Sequence, residues 1–312
     1  MDGVGDGHLL PSAMHRFSLR VSALRAEASA LLAGITRTAG NIELIQQMAR
    51  RVRSLDEEIA AWLLALPPNL RFKTLCWLSE KEVGLSPRKQ YSELEVFPGR
   101  VDMYPDFVTS SIWNTARTSR LILASLNIRI VAWLSTPADY RTTAEYATSK
   151  AICEGTIADV IASVPYHLGW HVKKEGMFEE DASRSGFACG EEGSIKALPA
   201  WFLIWALTCV KNHDMATEAQ RSWVKGRLRF IADHVGLKYA NIVNDVGLPS
   251  ICALCVIASN VRTPTARTSL PLNVHPSGRR DALARSTQSR EIQRPSCSCK
   301  RNAQHEQYSS DS

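Results

Sequence analysis

Three features of the sequence predict an all-α fold, a multi-helix bundle followed by a disordered C-terminal tail. Ile45, Met48, Val52, Leu55, Ile59, Trp62 and Leu66 recur at steps of three and four, which lays one apolar stripe along a helix. The stretch that follows Pro105 continues to Leu134, at least about seven helical turns, with no further Pro or Gly. No segment shows sustained period-two alternation bounded by hairpin turn residues, so strands have little support.

The elements follow in order. Residues 12 to 35 are rich in Ala, Leu and Arg and favour a helix. In the next helix, "RRVRSLDEE" supplies the wet side and "LPPN" the end, because Pro67 pushes Leu66 out of helical geometry. The stripe suits a dimer seam as well as packing within the chain. Residues 67 to 105 carry Pro67, Pro68, Pro87, Pro98 and Pro105 and read as irregular, with "RFKTLCWL" as a short helix inside. The long helix beyond sets Ile112, Ala116, Leu123, Leu126, Ile130 and Leu134 near one side, and its apolar C-terminal end places it centrally.

In "STPAD", Thr136 can cap a helix, with Pro137 at the first position and Asp139 at the third. That helix is expected to end near Ser163, because Pro165 removes a main-chain donor. Residues 179 to 194 read as an acidic, Gly-rich surface loop. "ALPAWFLIWALTCV", Ala197 to Val210, is too short for a membrane span of roughly 20 residues and reads as a buried core helix. Thr217 and Gln220 match a capping box, Val224, Leu228, Ile231 and Val235 follow at helical spacing, and Gly236 is the stop. The organisation expected is a helical extension over 1 to 39, a helical domain over 40 to 257, and a Ser/Thr/Arg-rich tail over 258 to 312 that buries too little to fold.

The net charge of +6 points to nucleic acid only until it is mapped. Beyond residue 260, nine Lys/Arg against four Asp/Glu supply +5 of it. The body, at +1, makes no electrostatic case for a phosphate backbone. No secretory signal is read at the start, and the eight cysteines are expected as reduced thiols in an intracellular protein.

The candidate chemistry is sparse. Ser163 and His167 lie four apart, as a nucleophile and its base could on one helix face. They lack the strand-turn-helix context, and packing beside Pro165 explains them better. Cys252 and Cys255 have the gap of a zinc half-site, but Cys297 and Cys299 are distant and wrongly spaced. His167 and His171 are four apart with no zincin-type acid between them. "MDGVGDG" has no preceding strand and no lysine to reach a phosphate. "RRVR" at 50 to 53 belongs to a mixed-charge face. No catalytic, cofactor-binding or metal-binding residue is therefore assigned, no cofactor is expected, and no membrane partner.

Four segments in order carry a resemblance: "LDEEIAAWLLALPPNLRF", "VFPGRVDMYPDFVTSSIWNTARTSRLIL", "ICEGTIADVIASVPYHLGW" and "FLIWALTCVKNHDMATEAQRSWVKGRLRFIADHVGLKYA". Over roughly residues 40 to 245 the chain resembles the C-terminal regulatory region of fungal zinc cluster transcription factors. The matching positions are Tyr104, Asp106, Trp113, Asn114 and Arg117, then Val160 to Gly169, then Trp205, Arg221, Trp223, Val224, Arg227, Leu228 and Ile231. The resemblance implies a helical regulatory domain without catalysis, a nuclear location, and action through protein contacts or a homodimer, often on a secondary-metabolite gene cluster. The family's six-cysteine DNA reader has no counterpart, since no cysteine precedes Cys76. A truncated gene or a lost reader would explain this, and the chain alone is expected not to bind a specific DNA site. The rival expectation is a helical enzyme or ligand-binding protein with an apolar pocket lined by Tyr166, His167 and Trp170.

Overall fold

The computed structural model describes residues 9 to 170 and 195 to 245, all within one compact unit, Met1–Thr263. The second unit, Pro264–Ser312, holds no described residue. The architecture is mostly helical, with seven α-helices and one small sheet among the described residues. The expected loop at 179 to 194 and the tail from 258 lie outside the described residues.

Helices α1 (Leu9–Gly34) and α2 (Ala39–Leu64) are joined by a short link, and Thr38 caps α2 by accepting a hydrogen bond from the Asn41 N–H. Ile45, Met48, Val52, Leu55 and Ile59 are all buried, packed within this chain against α1 and helix α3 (Phe107–Ser135). The stripe then drifts. A 3.5-residue repeat lags a 3.6-residue helix by about 20° per heptad, so Leu63 takes the buried place and Trp62 is only partly covered. Arg20–Glu58 and Arg51–Glu27, each at 2.6 Å, link the wet sides of α1 and α2.

Helix α3 is central, as expected. Asp106 caps it by accepting from the Thr109 N–H at 2.8 Å. Ile112, Ala116, Leu123, Leu126 and Ile130 join the α1/α2 core, while Leu121, Ala124 and Ile128 face a second core built with α4 (Ala144–His167), α5 (Ala197–Lys211) and α6 (Glu218–Asp233). Leu134, expected on the same side, is only partly buried there.

The segment read as a short helix is instead a strand. β1 (Lys73–Leu78) pairs antiparallel with β2 (Gly99–Met103), with a register irregularity between Thr74 and Cys76. Thr74, Cys76 and Trp77 suit a pleated surface. The partner strand arrives through a long Pro-containing connection rather than a two-residue turn, so the usual hairpin signal is missing.

Helix α4 (Ala144–His167) begins later and ends later than expected. Its cap is Thr143, which accepts from the Tyr146 N–H. Thr136 closes α3 instead, and Asp139 caps a single 3-10 turn, Tyr140–Thr142. Pro165 does not end α4 but sits inside its last turn. The stop is Gly169, at φ +67°, where the left-handed backbone lets the Gly169 and Trp170 N–H groups reach back to Tyr166 and Pro165 carbonyls.

Helix α5 (Ala197–Lys211) is buried on one side over its first half, through Ala200, Leu203 and Ile204, and all round over its second, from Ala206 to Lys211. Leu198, Trp201, Phe202 and Trp205 stand about half exposed on the other side of the first half, so the expected core helix is core only beyond Trp205. No helix among the described residues is long and apolar enough to cross a membrane.

Helix α6 (Glu218–Asp233) carries both arms of the Thr217/Gln220 capping box, buries Val224, Leu228 and Ile231 completely, and ends before Gly236 at φ +85°. A short α7 (Tyr239–Asp245) follows. Gly226 of α6 lies against the main chain of the 3-10 turn Tyr91–Glu93: an added Cβ would sit 2.0 Å from the Ser92 carbonyl oxygen. Gly226→Ala gains roughly 1 kcal/mol of helix propensity, but backbone cannot yield as a side-chain tip does. We expect a net loss of about 2 kcal/mol or more from overpacking, read as a melting temperature lowered by roughly 4–8 °C in a circular dichroism melt.

Candidate functional site

The polar side chains that the fold gathers lie between α3, α4 and β2. Ser110, Asn114 and Arg117 recur at four and three residues along α3 and so share a face. Asp159, Ser163 and His167 do the same at four-residue steps along α4. β2 adds Arg100 and Asp102, and Tyr104 follows it directly.

At one end sits His167, fully buried. Its Nδ1 lies 3.1 Å from the Pro199 carbonyl oxygen, which can only accept, so Nδ1 carries the proton. Nε2 then accepts from Ser110 Oγ at 2.7 Å, with Asn114 Nδ2 at 3.2 Å. Asn114 Nδ2 also donates to Ser163 Oγ at 2.9 Å. Ser163 Oγ lies 2.7 Å from the Val160 carbonyl oxygen and 3.1 Å from Asn114 Oδ1, both acceptors for its one proton. The expected pair is thus brought together, but through Asn114. The group that orients the imidazole is a main-chain carbonyl rather than a carboxylate, and both side chains are closed to solvent. The arrangement cross-links α3, α4 and the start of α5.

At the other end sits Arg117, 3% exposed. Its guanidinium lies 5.0 Å from the Phe72 ring centroid, 5.7 Å from Tyr104 and 5.5 Å from Trp113. It donates to the Tyr104 hydroxyl and to Asn114 Oδ1. Asp102 and Asp159 stand 4.0 and 3.9 Å away, and Arg100 binds both, at 2.9 and 2.5 Å. Two cations and two carboxylates therefore balance. Burial pushes the Asp102 carboxyl above its ordinary range, against the pull of Arg100 and Arg117. Burial likewise pushes the Tyr104 phenol up to about 12, so it stays a neutral partner for Arg117.

A second buried histidine, His213, uses the opposite tautomer. Ser125 Oγ lies 2.7 Å from the Leu121 carbonyl oxygen, to which it gives its proton, so His213 Nε2 donates to Ser125 and Nδ1 accepts from the Met215 N–H.

The other expected candidates disperse. Tyr166 packs with Met103 and Tyr104, and Trp170 with Val96 and Val101, so the three residues of the expected pocket are buried in packed clusters. Arg50, Arg51 and Arg53 are exposed on α2, as a mixed-charge face requires. His171, Cys252, Cys255, Cys297, Cys299 and "MDGVGDG" lie outside the described residues. Among the described residues no group of three His, Cys, Asp or Glu could hold a metal ion.

Reading the sequence missed Ser110, Asp102, Arg100 and Asp159. The available signal was the i, i+4, i+7 run of polar residues on a helix placed at the centre, and an aspartate one turn before Ser163. Of the positions that carry the resemblance, Tyr104, Asn114, Arg117, Ser163 and His167 belong to this network, and others lie outside it. Asp106 caps α3, and Trp113 Nε1 donates to the Leu70 carbonyl at 2.9 Å. Arg221 donates to the Ala216 carbonyl, Trp223 is fully buried, and Arg227 reaches the Glu95 carbonyl at 3.4 Å.

Two outcomes follow. Arg117→Met leaves Asp102 and Asp159 short of a partner and should cost about 3–5 kcal/mol; Arg117→Lys should not restore it, because an ammonium cannot span Tyr104 and Asn114 as the planar fork does. Urea unfolding of the three proteins checks this. Burial lowers both His167 and His213 from 6.5 to about 4. A base depressed on folding contributes stability above its unfolded pKa, and that stability is lost as pH falls from about 6.5 to about 4. Each histidine accounts for about 3 kcal/mol over that window, and His167→Gln should flatten the dependence of unfolding free energy on pH by roughly half.

Compared with protein-family models, curated proteins and solved structures, the chain matches none.

Proposed function

We propose that this chain is a helical transcription regulator of the fungal zinc cluster type that works in the nucleus through protein contacts rather than by catalysis. A secondary-metabolite gene cluster is the target class that the resemblance suggests.

The observation that carries the reading is an apolar stripe on the outside of the bundle. Leu198, Trp201, Phe202 and Trp205 occupy successive turns of α5 and are each about half exposed. The stripe extends onto α7, where Tyr239 packs against Trp201 at 5.6 Å and Ile242 is 59% exposed. Single exposed apolar residues are common, whereas contiguous ones rimmed by polar groups mark interaction surfaces. Tryptophan and tyrosine are the residue types that dominate binding energy at protein interfaces. The sealed polar network and the near-neutral body agree with this reading: the first supplies rigidity, and the second gives no footprint for nucleic acid.

The full chain fused to a foreign DNA-binding domain should change reporter transcription several-fold. Trp201→Asp/Trp205→Asp should remove most of that effect while leaving the melting temperature within a few degrees, since surface changes cost little. A wild-type fusion that moves the reporter in neither direction would sink the reading.

A further inference from the structure

A groove of about 440 Å³ runs between α2, α3 and α4, away from the polar network and from the α5 face. Its volume lies within the range of small-molecule sites. Val52, Leu123, Ala124 and Ile152 give it an apolar lining. One wall is the Arg120–Asp56 pair, joined by two hydrogen bonds of 2.8 and 3.1 Å. Each charge is spent on the other, so the wall offers no net charge to an ionic ligand. The remaining charges, Arg53, Glu57 and Glu145, stand exposed at the rim.

Asn127 is the feature that packing does not explain. It lines the groove and is 5% exposed. Its Nδ2 donates to Ser149 Oγ at 2.9 Å, across from α3 to α4. Its Oδ1 is shielded from water and has no partner among the described residues. A buried acceptor left unpaired costs about 1–3 kcal/mol. An apolar side chain of the same size would avoid that cost here, so the amide is a liability unless something else bonds to it.

We propose that this groove binds a neutral, mostly apolar small molecule that carries one hydroxyl or amide N–H and donates it to Asn127 Oδ1. The apolar body lies along Leu123, Ala124 and Ile152. The donor reaches the oxygen on a small turn of the amide about its terminal torsion, which is a soft one. Asn127 sets the orientation, and the ion pair with its rim excludes a strongly charged ligand. The inference goes beyond the regulatory reading and does not rest on it.

Calorimetric titration of the full chain with 2-naphthol and with 2-methoxynaphthalene tests it, because the two share a ring system and only the first has a donor. 2-Naphthol should bind about tenfold more tightly, the worth of one recovered hydrogen bond. Asn127→Leu should erase that difference. Thr148→Trp, at an exposed α4 position that lines the groove, should abolish binding of both probes with the fold intact, and so decides the matter even if Asn127→Leu fails to fold. Equal affinity of the two probes for the wild-type chain, no binding of either, or binding that survives Thr148→Trp would each overturn the proposal.

Discussion

A buried guanidinium is expensive, and the way this chain meets that cost organises much of the rest. Arg117 sits on the central helix with almost no exposure. Removed from water, its charge needs opposite charge, hydrogen-bond acceptors and polarisable faces. Each is supplied by a different part of the chain. Asp102 comes from β2, Asp159 from α4, Tyr104 from the turn after β2, and Phe72 from the residue before β1. The sheet, only two strands wide, would be marginal on its own. Its register sets Thr74 opposite Asp102, and its position against α4 brings the carboxylate to the cation. The strands are there less to bury area than to deliver a charge.

The central helix also explains why two apolar clusters coexist. One side of α3 completes the core of α1 and α2, and the opposite side completes that of α4, α5 and α6. Polar residues would normally be excluded from a helix covered this way. Here Ser110, Asn114 and Arg117 form a third stripe between the two apolar ones, bonded to His167, Ser163 and Tyr104. Buried networks of this kind penalise any slip of α3 against α4, because a displaced amide or imidazole loses partners that apolar neighbours cannot replace.

The helices were legible because their signals are local. The α2 stripe, the Thr217/Gln220 box and the Gly236 stop all report on residues within a few turns of each other. What failed depended on distant partners. Lys73 to Leu78 becomes a strand only because β2 lies beside it. Thr136 lost the α4 cap to Thr143, which follows a 3-10 turn capped by Asp139. Pro165 was read as a breaker by its missing donor, yet a helix end governed by Gly169 tolerates it one turn earlier. Of the candidate site, Ser163 and His167 were visible as a spaced pair. Their true partners, Ser110 and Asn114, lie about fifty residues away, where spacing rules do not reach.

The two-sided burial of α3 has a consequence for synthesis on the ribosome. When its last turn emerges, α1 and α2 are already present to cover one side, through Ile112, Leu123 and Ile130. The side bearing Leu121, Ala124 and Ile128, together with the charge of Arg117, must wait for α4, α5 and α6, which end only at Asp233. Translation at about 5–20 residues per second leaves that greasy strip uncovered for several seconds. The nascent polypeptide therefore passes through a half-finished intermediate with a natural foothold for chaperones.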